Sequence, residues 1–465
     1  MKKVLFAFLP LLAFSAFAEA TISGVTFNQR WPWSKKVDIH FTLSGAENPV
    51  DIDVSATSDG ESLTLPAASL SGDLYDVKNG THTITWDPLA TSYASRKSLG
   101  NFAVTLTAKT AQTYLILDLN PSLANTKAAR ISYSDHVIDT TSCGQWDEVY
   151  RTEKIVFKRC LPGTFRMGSD AAEYDHVAGE EKRYNVKITK PYYLGVYELT
   201  QRQAEIVVNP QLKNYGVTVD TWSTGICYFT NKTCYATRPV DNVWYGNPLN
   251  TLMACMPKVL TDANLRLPTN AEWEYACRAG TTGTVYWIDR VLLNSSADKE
   301  FQDNVRNSGK AWVWQVDETT GSSGGNMTSA GKAWPRDTLE GSDVVNCTRK
   351  VGSFAPNPWG FYDMIGNVME AVGDYYVADL GEEGSYLVDP VTSEAEAKAA
   401  TYSGATGVAW GDYRGGAWGA NSYWNARKFA RSAHRAPNAP SFSPSTTTWY
   451  GVRGVFGVRL ALDAE

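Results

Sequence analysis

The chain has 465 residues, 43% of them apolar and 20% charged, enough for two or three domains with sizeable cores. A single small module and wholesale disorder are excluded. Lys and Arg together number 43 against 49 Asp and Glu, a net charge of −6 that has the wrong sign for a general nucleic-acid or anionic-membrane binder.

Met1-Lys2-Lys3 precedes an apolar stretch from Val4 to Phe17 and then Ala16-Phe17-Ala18. This pattern predicts a signal peptide over residues 1–18, cut after Ala18 or Ala20, and hence an exported protein. The run is short for a membrane span, and none of the later text reaches the ~20 apolar residues a span needs.

Residues 21–110 read as strands. Val37, Ile39, Phe41 and Leu43 alternate with polar residues, Val50, Ile52, Val54 and Ala56 repeat the pattern, and Phe102, Val104 and Leu106 follow it again. Asp59-Gly60, Gly72-Asp73 and Asn79-Gly80 supply turns, which together predict a small all-β sandwich. Residues 111–159 form a connecting region with two apolar runs, Tyr114 to Leu117 and Lys154 to Phe157.

From Cys160 the alternation gives way to short helical patches among Gly-, Pro-, Asn- and Trp-rich loops, and the expected class is α+β. Helices are predicted from Gln201 to about Val208, capped by Thr200, and over about Leu249 to Leu260. The clearest begins at Thr269, where Thr269-Asn270-Ala271-Glu272 makes a capping box and Gly280 stops the helix.

Seven cysteines stand at Cys143, Cys160, Cys227, Cys234, Cys255, Cys277 and Cys347. In an oxidising compartment, proximity along the chain suggests pairing Cys143 with Cys160, Cys227 with Cys234 and Cys255 with Cys277, although six cysteines allow 15 connectivities.

Six ordered segments carry a resemblance. Pro162 to Ser169, Tyr193 to Thr200, Arg238 to Val243, Leu265 to Ala276, Asn357 to Glu370, and a C-terminal set of Arg414-Gly415-Gly416-Ala417-Trp418, Ala430 to Arg435 and Gly457-Val458-Arg459-Leu460 are similar to the formylglycine-generating enzyme, or sulfatase-modifying factor, family. They span residues 160–462. The resemblance implies a C-type-lectin-like fold with little regular secondary structure and at least one structural calcium.

Calcium takes six to eight oxygens from carboxylates, amides and carbonyls. Carried over by the resemblance, its ligands are the side chains of Asp363 and Glu370 and the carbonyls of Gly366 and Val368, with Asn304 and Val305 as half of a second calcium site.

Catalytic members of the family oxidise a sulfatase cysteine to formylglycine with Cu(I) held by two cysteines after an Arg-Gly-Gly-Ser segment. Here that region reads Arg414 to Asn425 without a cysteine, and Ala417 stands at the Ser position. Soft thiolates select Cu(I), so copper is not expected. The competing reading keeps a formylglycine-generating oxidase or another protein-modifying enzyme that works through other residues.

Arg414, Trp418, Tyr423, Trp424, Arg431, His434 and Arg435 are the candidate lining of a ligand groove. Aromatic faces beside guanidinium forks suit a protein or glycan ligand. The expected function is a calcium-stabilised, non-oxidase binding or assembly module.

Overall fold

A computed structural model of the chain describes residues 20–66, 69–94, 99–134, 148–173, 176–177, 182–212, 236–241, 243, 247–288, 290–292, 310–311, 314–316, 323–325, 348–402, 405–417, 429–438 and 456–464. They divide into two compact units, Met1–Gln112 and Thr113–Glu465.

The first unit holds β1 (Thr21–Gln29), β2 (Val37–Ser44), β3 (Val50–Ser58), β4 (Glu61–Ser62), β5 (Leu70–Gly72), β6 (Gly80–Trp86) and β7 (Ala103–Thr110). One antiparallel sheet runs β1-β2-β6-β5 and another β4-β3-β7. The period-two pattern puts Val37, Ile39, Phe41 and Leu43 of β2 on one buried face, where they pack with Val50, Ile52, Ile84 and Trp86. Trp86 stacks on Phe102 with ring centres 5.7 Å apart.

From Thr113 onward the connecting region belongs to the second unit. There β8 (Tyr114–Asp118), β9 (Ile131–Ser134) and β10 (Lys154–Cys160) enter a six-stranded antiparallel sheet with β13 (Tyr192–Gly195), β14 (Leu265–Arg266) and β24 (Ala461–Asp463), in the order β14-β24-β13-β10-β8-β9. This pairing carries the C-terminal strand back between two earlier ones. A three-stranded sheet joins β11 (Gly163–Met167), β12 (Tyr184–Ile188) and β18 (Tyr386–Val388), while β15 (Trp314–Val316) pairs with β16 (Ser323–Gly325) and β19 (Thr401–Tyr402) with β20 (Ala405–Thr406). A four-stranded sheet centres on β17 (Met369–Tyr375), flanked by β21 (Gly411–Arg414) and β23 (Phe456–Val458), with β22 (Ala436–Asn438) at its edge.

Helices are few and short beside the strands, a mixed architecture dominated by β-structure. The helix Asn270–Arg278 starts at the expected capping box, with the Thr269 side chain and Glu272 satisfying each other's amides. Its end differs from expectation by one residue, because Ala279 already adopts the left-handed conformation at φ 47° ahead of Gly280. Thr200 caps the helix Gln201–Leu212 in a reciprocal pair with Gln203. The third expected helix spans Asn247–Val259. Among the described residues no helix is long and apolar enough to cross a membrane.

The pairings of Cys143 with Cys160 and of Cys255 with Cys277 are corrected. Cys160, Cys255 and Cys277 are free, buried thiols, and Cys255 and Cys277 belong to separate core clusters, which proximity in sequence does not reveal. Cys143, Cys227, Cys234 and Cys347 lie outside the described residues.

Candidate functional site

The central sheet is organised around ion pairs withdrawn from water. Glu370 on β17 is fully buried and accepts hydrogen bonds from Arg459 at 2.6 Å and from the Trp273 indole at 2.6 Å. Arg459, also fully buried, donates further to the carbonyls of Gly195, Val196 and Tyr362. One guanidinium thus joins the C-terminal signature to two segments more than 90 residues earlier. The low surrounding dielectric makes such charge-assisted bonds short and directional.

Two more carboxylates adjoin this pair. Glu198 accepts from the Val368 amide at 3.1 Å and the Asn367 side chain at 2.6 Å, and Asp363 accepts from the Gly352 amide at 2.6 Å. Asp363, Gly366 and Asn367 all have positive φ, which folds the segment between the two acids into a tight turn. Burial, followed by the charges of Asp363 and Glu370, pushes the Glu198 carboxyl well above the usual range. Burial likewise raises Asp363 to about 6.

Three buried carboxyls therefore share one directly paired guanidinium, and full ionisation of all three would leave the cluster negative. That charge, with hard oxygen donors, fits a calcium ion in kind. The fit is incomplete in geometry, because both oxygens of Glu370 are already held by Arg459 and Trp273. Among the described residues no three His, Cys, Asp or Glu side chains are grouped to hold a metal, so a calcium here needs the carbonyls of Gly366 and Val368.

The second bracing network involves the residues expected to line a groove. Arg414 is buried against Glu274, donates to the carbonyls of Ala433 and His434 at 3.0 Å, and lies over the Trp273 ring. Glu274 also holds Arg278 at 2.8 Å and the Gly168 amide at 2.9 Å. Arg431 pairs with Glu173 at 3.2 Å, Arg435 with Asp412 at 3.0 Å, and the His434 ring packs 4.6 Å from Phe429. Arg414, Arg431, His434 and Arg435 are all buried, each 3% exposed or less. A buried charge needs a partner, and each guanidinium here has a carboxylate. Trp418, Tyr423, Trp424, Asn304 and Val305 lie outside the described residues.

Glu198, Trp273, Glu274 and Arg459 were not assigned roles from sequence. A signal exists for two of them: Glu198 interrupts the apolar run from Tyr192 to Leu199, and Arg459 the run from Phe456 to Leu462. A lone charge inside an apolar strand-like run implies a buried partner.

The remaining described cysteines do not resemble an activated pair. Burial pushes Cys160 and Cys277 up to about 12, and the Cys277 thiol donates to Ser432 at 3.8 Å. Both therefore remain protonated thiols, the unreactive form. Iodoacetamide should leave both unmodified in the folded protein and label both after denaturation, as peptide mapping would show. Rapid native-state labelling of Cys277 would refute its burial.

The Sulfatase-modifying factor enzyme 1-like domain family matches residues 148–457. The chain belongs to that family. Its curated relatives include the inactive C-alpha-formylglycine-generating enzyme 2 of Bos taurus, 24% identical over 265 residues, which cover 50% of this chain and 76% of that protein. The formylglycine-generating enzyme of Mus musculus is 28% identical over 127 residues, but the match covers only 26% of that enzyme and 27% of this chain. That of Thermomonospora curvata is 31% identical over 133 residues, 34% of that enzyme and 28% of this chain. Among solved structures, PvdO from Pseudomonas aeruginosa aligns with a TM-score of 0.39 and 23% identity, covering 66% of this chain and 94% of PvdO. Treponema denticola variable protein 1 aligns with a TM-score of 0.40 and 18% identity, covering 70% and 98% respectively.

Proposed function

We propose that this family member is an exported, calcium-stabilised protein that has lost the copper–cysteine oxidase centre and serves as a binding or assembly module for a protein or glycan. The observation that carries the reading is the cysteine distribution. No cysteine follows Cys347 in a chain of 465 residues, so the Arg414-Gly415-Gly416 region has no thiolate to hold Cu(I). The buried, protonated thiols of Cys160 and Cys277 do not replace one.

Asp363, with the carbonyls of Gly366 and Val368 and a share of Glu370, would hold the calcium, whose contribution is to offset surplus buried charge. The C-type-lectin-like arrangement implied by the family resemblance belongs to this reading, as do Trp418, Tyr423 and Trp424 as ligand contacts.

The first unit supports a recognition role. Trp31 and Trp33, between β1 and β2, are 67% and 89% exposed, a large apolar area with nothing packed over most of it. Exposed indoles supply stacking area at low entropy cost. On a glycan array, the Trp31→Ala/Trp33→Ala protein should lose binding shown by the wild type, with a stability change within about 0.5 kcal/mol. Retained binding in the double variant would remove these indoles from the recognition surface.

The oxidase alternative is tested with a Cys-x-Pro-x-Arg peptide, Cu(I) and oxygen. Mass spectrometry should find the peptide cysteine unconverted; its conversion to the aldehyde would overturn the non-oxidase reading.

A further inference from the structure

The interior next to the helix Asn270–Arg278 holds buried oxygens that the ion pairs above leave without a partner. Asn270, Asp374 and Asp412 are 2%, 3% and 0% exposed, and each carries one buried side-chain oxygen, Oδ1 in every case, without a hydrogen-bond partner.

The three residues adjoin one another. The Asn270 side-chain amide donates to Asp412 Oδ2 at 3.0 Å, and its main-chain amide donates to the Asp374 carboxyl. Asp374 and Asp412 each stand one residue from the pair Tyr375 and Gly411, where β17 and β21 meet. A register shift between Ala371 and Tyr375 accompanies the inward turn of Asp374, whose neighbour Gly373 is exposed.

The surrounding charges do not balance. Arg435 pairs with Asp412 at 3.0 Å and otherwise serves the Val377 carbonyl and the Tyr376 ring. Arg266 is committed to Glu272 and Asp463. Two buried carboxylates thus face one guanidinium, and three acceptor oxygens lack a donor. A single proton can serve one acceptor, and one water has two hydrogens. A cation takes several oxygen ligands at once and offsets surplus negative charge.

We propose that Asn270, Asp374 and Asp412 form a binding site for a hard divalent cation, separate from the Asp363 region. The donor set, two carboxylates and an amide oxygen with no sulfur or imidazole, selects Ca²⁺ over softer metals. Of the three residues, Asp374 borders a cleft of about 730 Å³ whose wall also includes Thr269, Glu272 and Gly373. The site ties the first turn of the helix Asn270–Arg278 to β17 and β21, so its occupancy would brace the central sheet.

The test is equilibrium dialysis of the full-length, chelator-stripped protein against Ca²⁺ alone, for the wild type, Asp374→Asn and Asp363→Ala. Asp374→Asn should weaken one equivalent by about tenfold or more and reduce the Ca²⁺-dependent rise in Tm, while Asp363→Ala keeps that equivalent. Should Asp374→Asn fail to fold, Asn270→Asp adds a carboxylate and should tighten the same equivalent. Binding in Asp374→Asn or Asn270→Asp identical to wild type, or no Ca²⁺ bound by the wild type, overturns the site and leaves buried water as the partner of these oxygens. Loss of an equivalent in Asp363→Ala alone would support the family calcium and overturn this one.

Discussion

Arg459→Ala should destabilise the second unit by about 3–5 kcal/mol, read from urea unfolding, because it leaves Glu370 charged and buried with only the Trp273 indole as donor. Since folded domains have only about 5–15 kcal/mol in hand, the expected protein is barely folded. Replacing a buried ion pair by apolar residues of similar volume is often neutral. Here it should not be. The double variant Glu370→Met/Arg459→Met removes both charges but strands the carbonyls of Gly195, Val196 and Tyr362, which Arg459 now serves. It should therefore recover only part of the loss. Full recovery would mean that Arg459 acts as a counter-charge alone. The single variant has a second expected signature. With Arg459 gone, Glu370 is released for a cation, so added Ca²⁺ should restore more stability to Arg459→Ala than it gives the wild type.

Trp273→Ala should cost a similar amount, about 3–5 kcal/mol, by a different route. The side chain is fully buried, its ring lies under the Arg414 guanidinium at 5.1 Å, and the backbone of Gly415 approaches it closely. A Cβ at Gly415 would stand 3.2 Å from the indole and 2.9 Å from the Met364 carbonyl, and Gly415 has φ 88°. Removing the indole leaves a cavity between two charged networks and takes away a donor from Glu370. Trp273→Phe keeps most of the volume and loses the N–H, so it separates the two effects. A cost within about 0.5 kcal/mol for Trp273→Phe would show that packing alone accounts for the alanine result.

Local features were legible in sequence. The capping box at Thr269 and Glu272 needs only four consecutive residues, and the β2 alternation only eight, so short-range pattern decides both. The ion-pair networks are long-range. Glu274 and Arg414 lie 140 residues apart, and the text around Arg414, read in sequence as a groove residue, carries no local sign of its partner. Only the fold brings Glu274 to it. Sequence proximity misled for Cys255 and Cys277 in the reverse sense, since each lies on its own helix facing its own core. The cluster of Asn270, Asp374 and Asp412 is hidden for the same reason: Asn270 stands in the capping-box segment, 142 residues before Asp412, and their burial together follows from the meeting of β17, β21 and a helix terminus.

The central claim, a retained family scaffold without its oxidase metal, is tested most directly by elemental analysis of the purified protein. The sample is incubated with both Ca²⁺ and Cu(I) and then freed of loosely bound ions. The account predicts at least one equivalent of calcium and no stoichiometric copper. One equivalent of copper per chain would contradict it, because a thiolate site would then exist in a chain with no cysteine after Cys347.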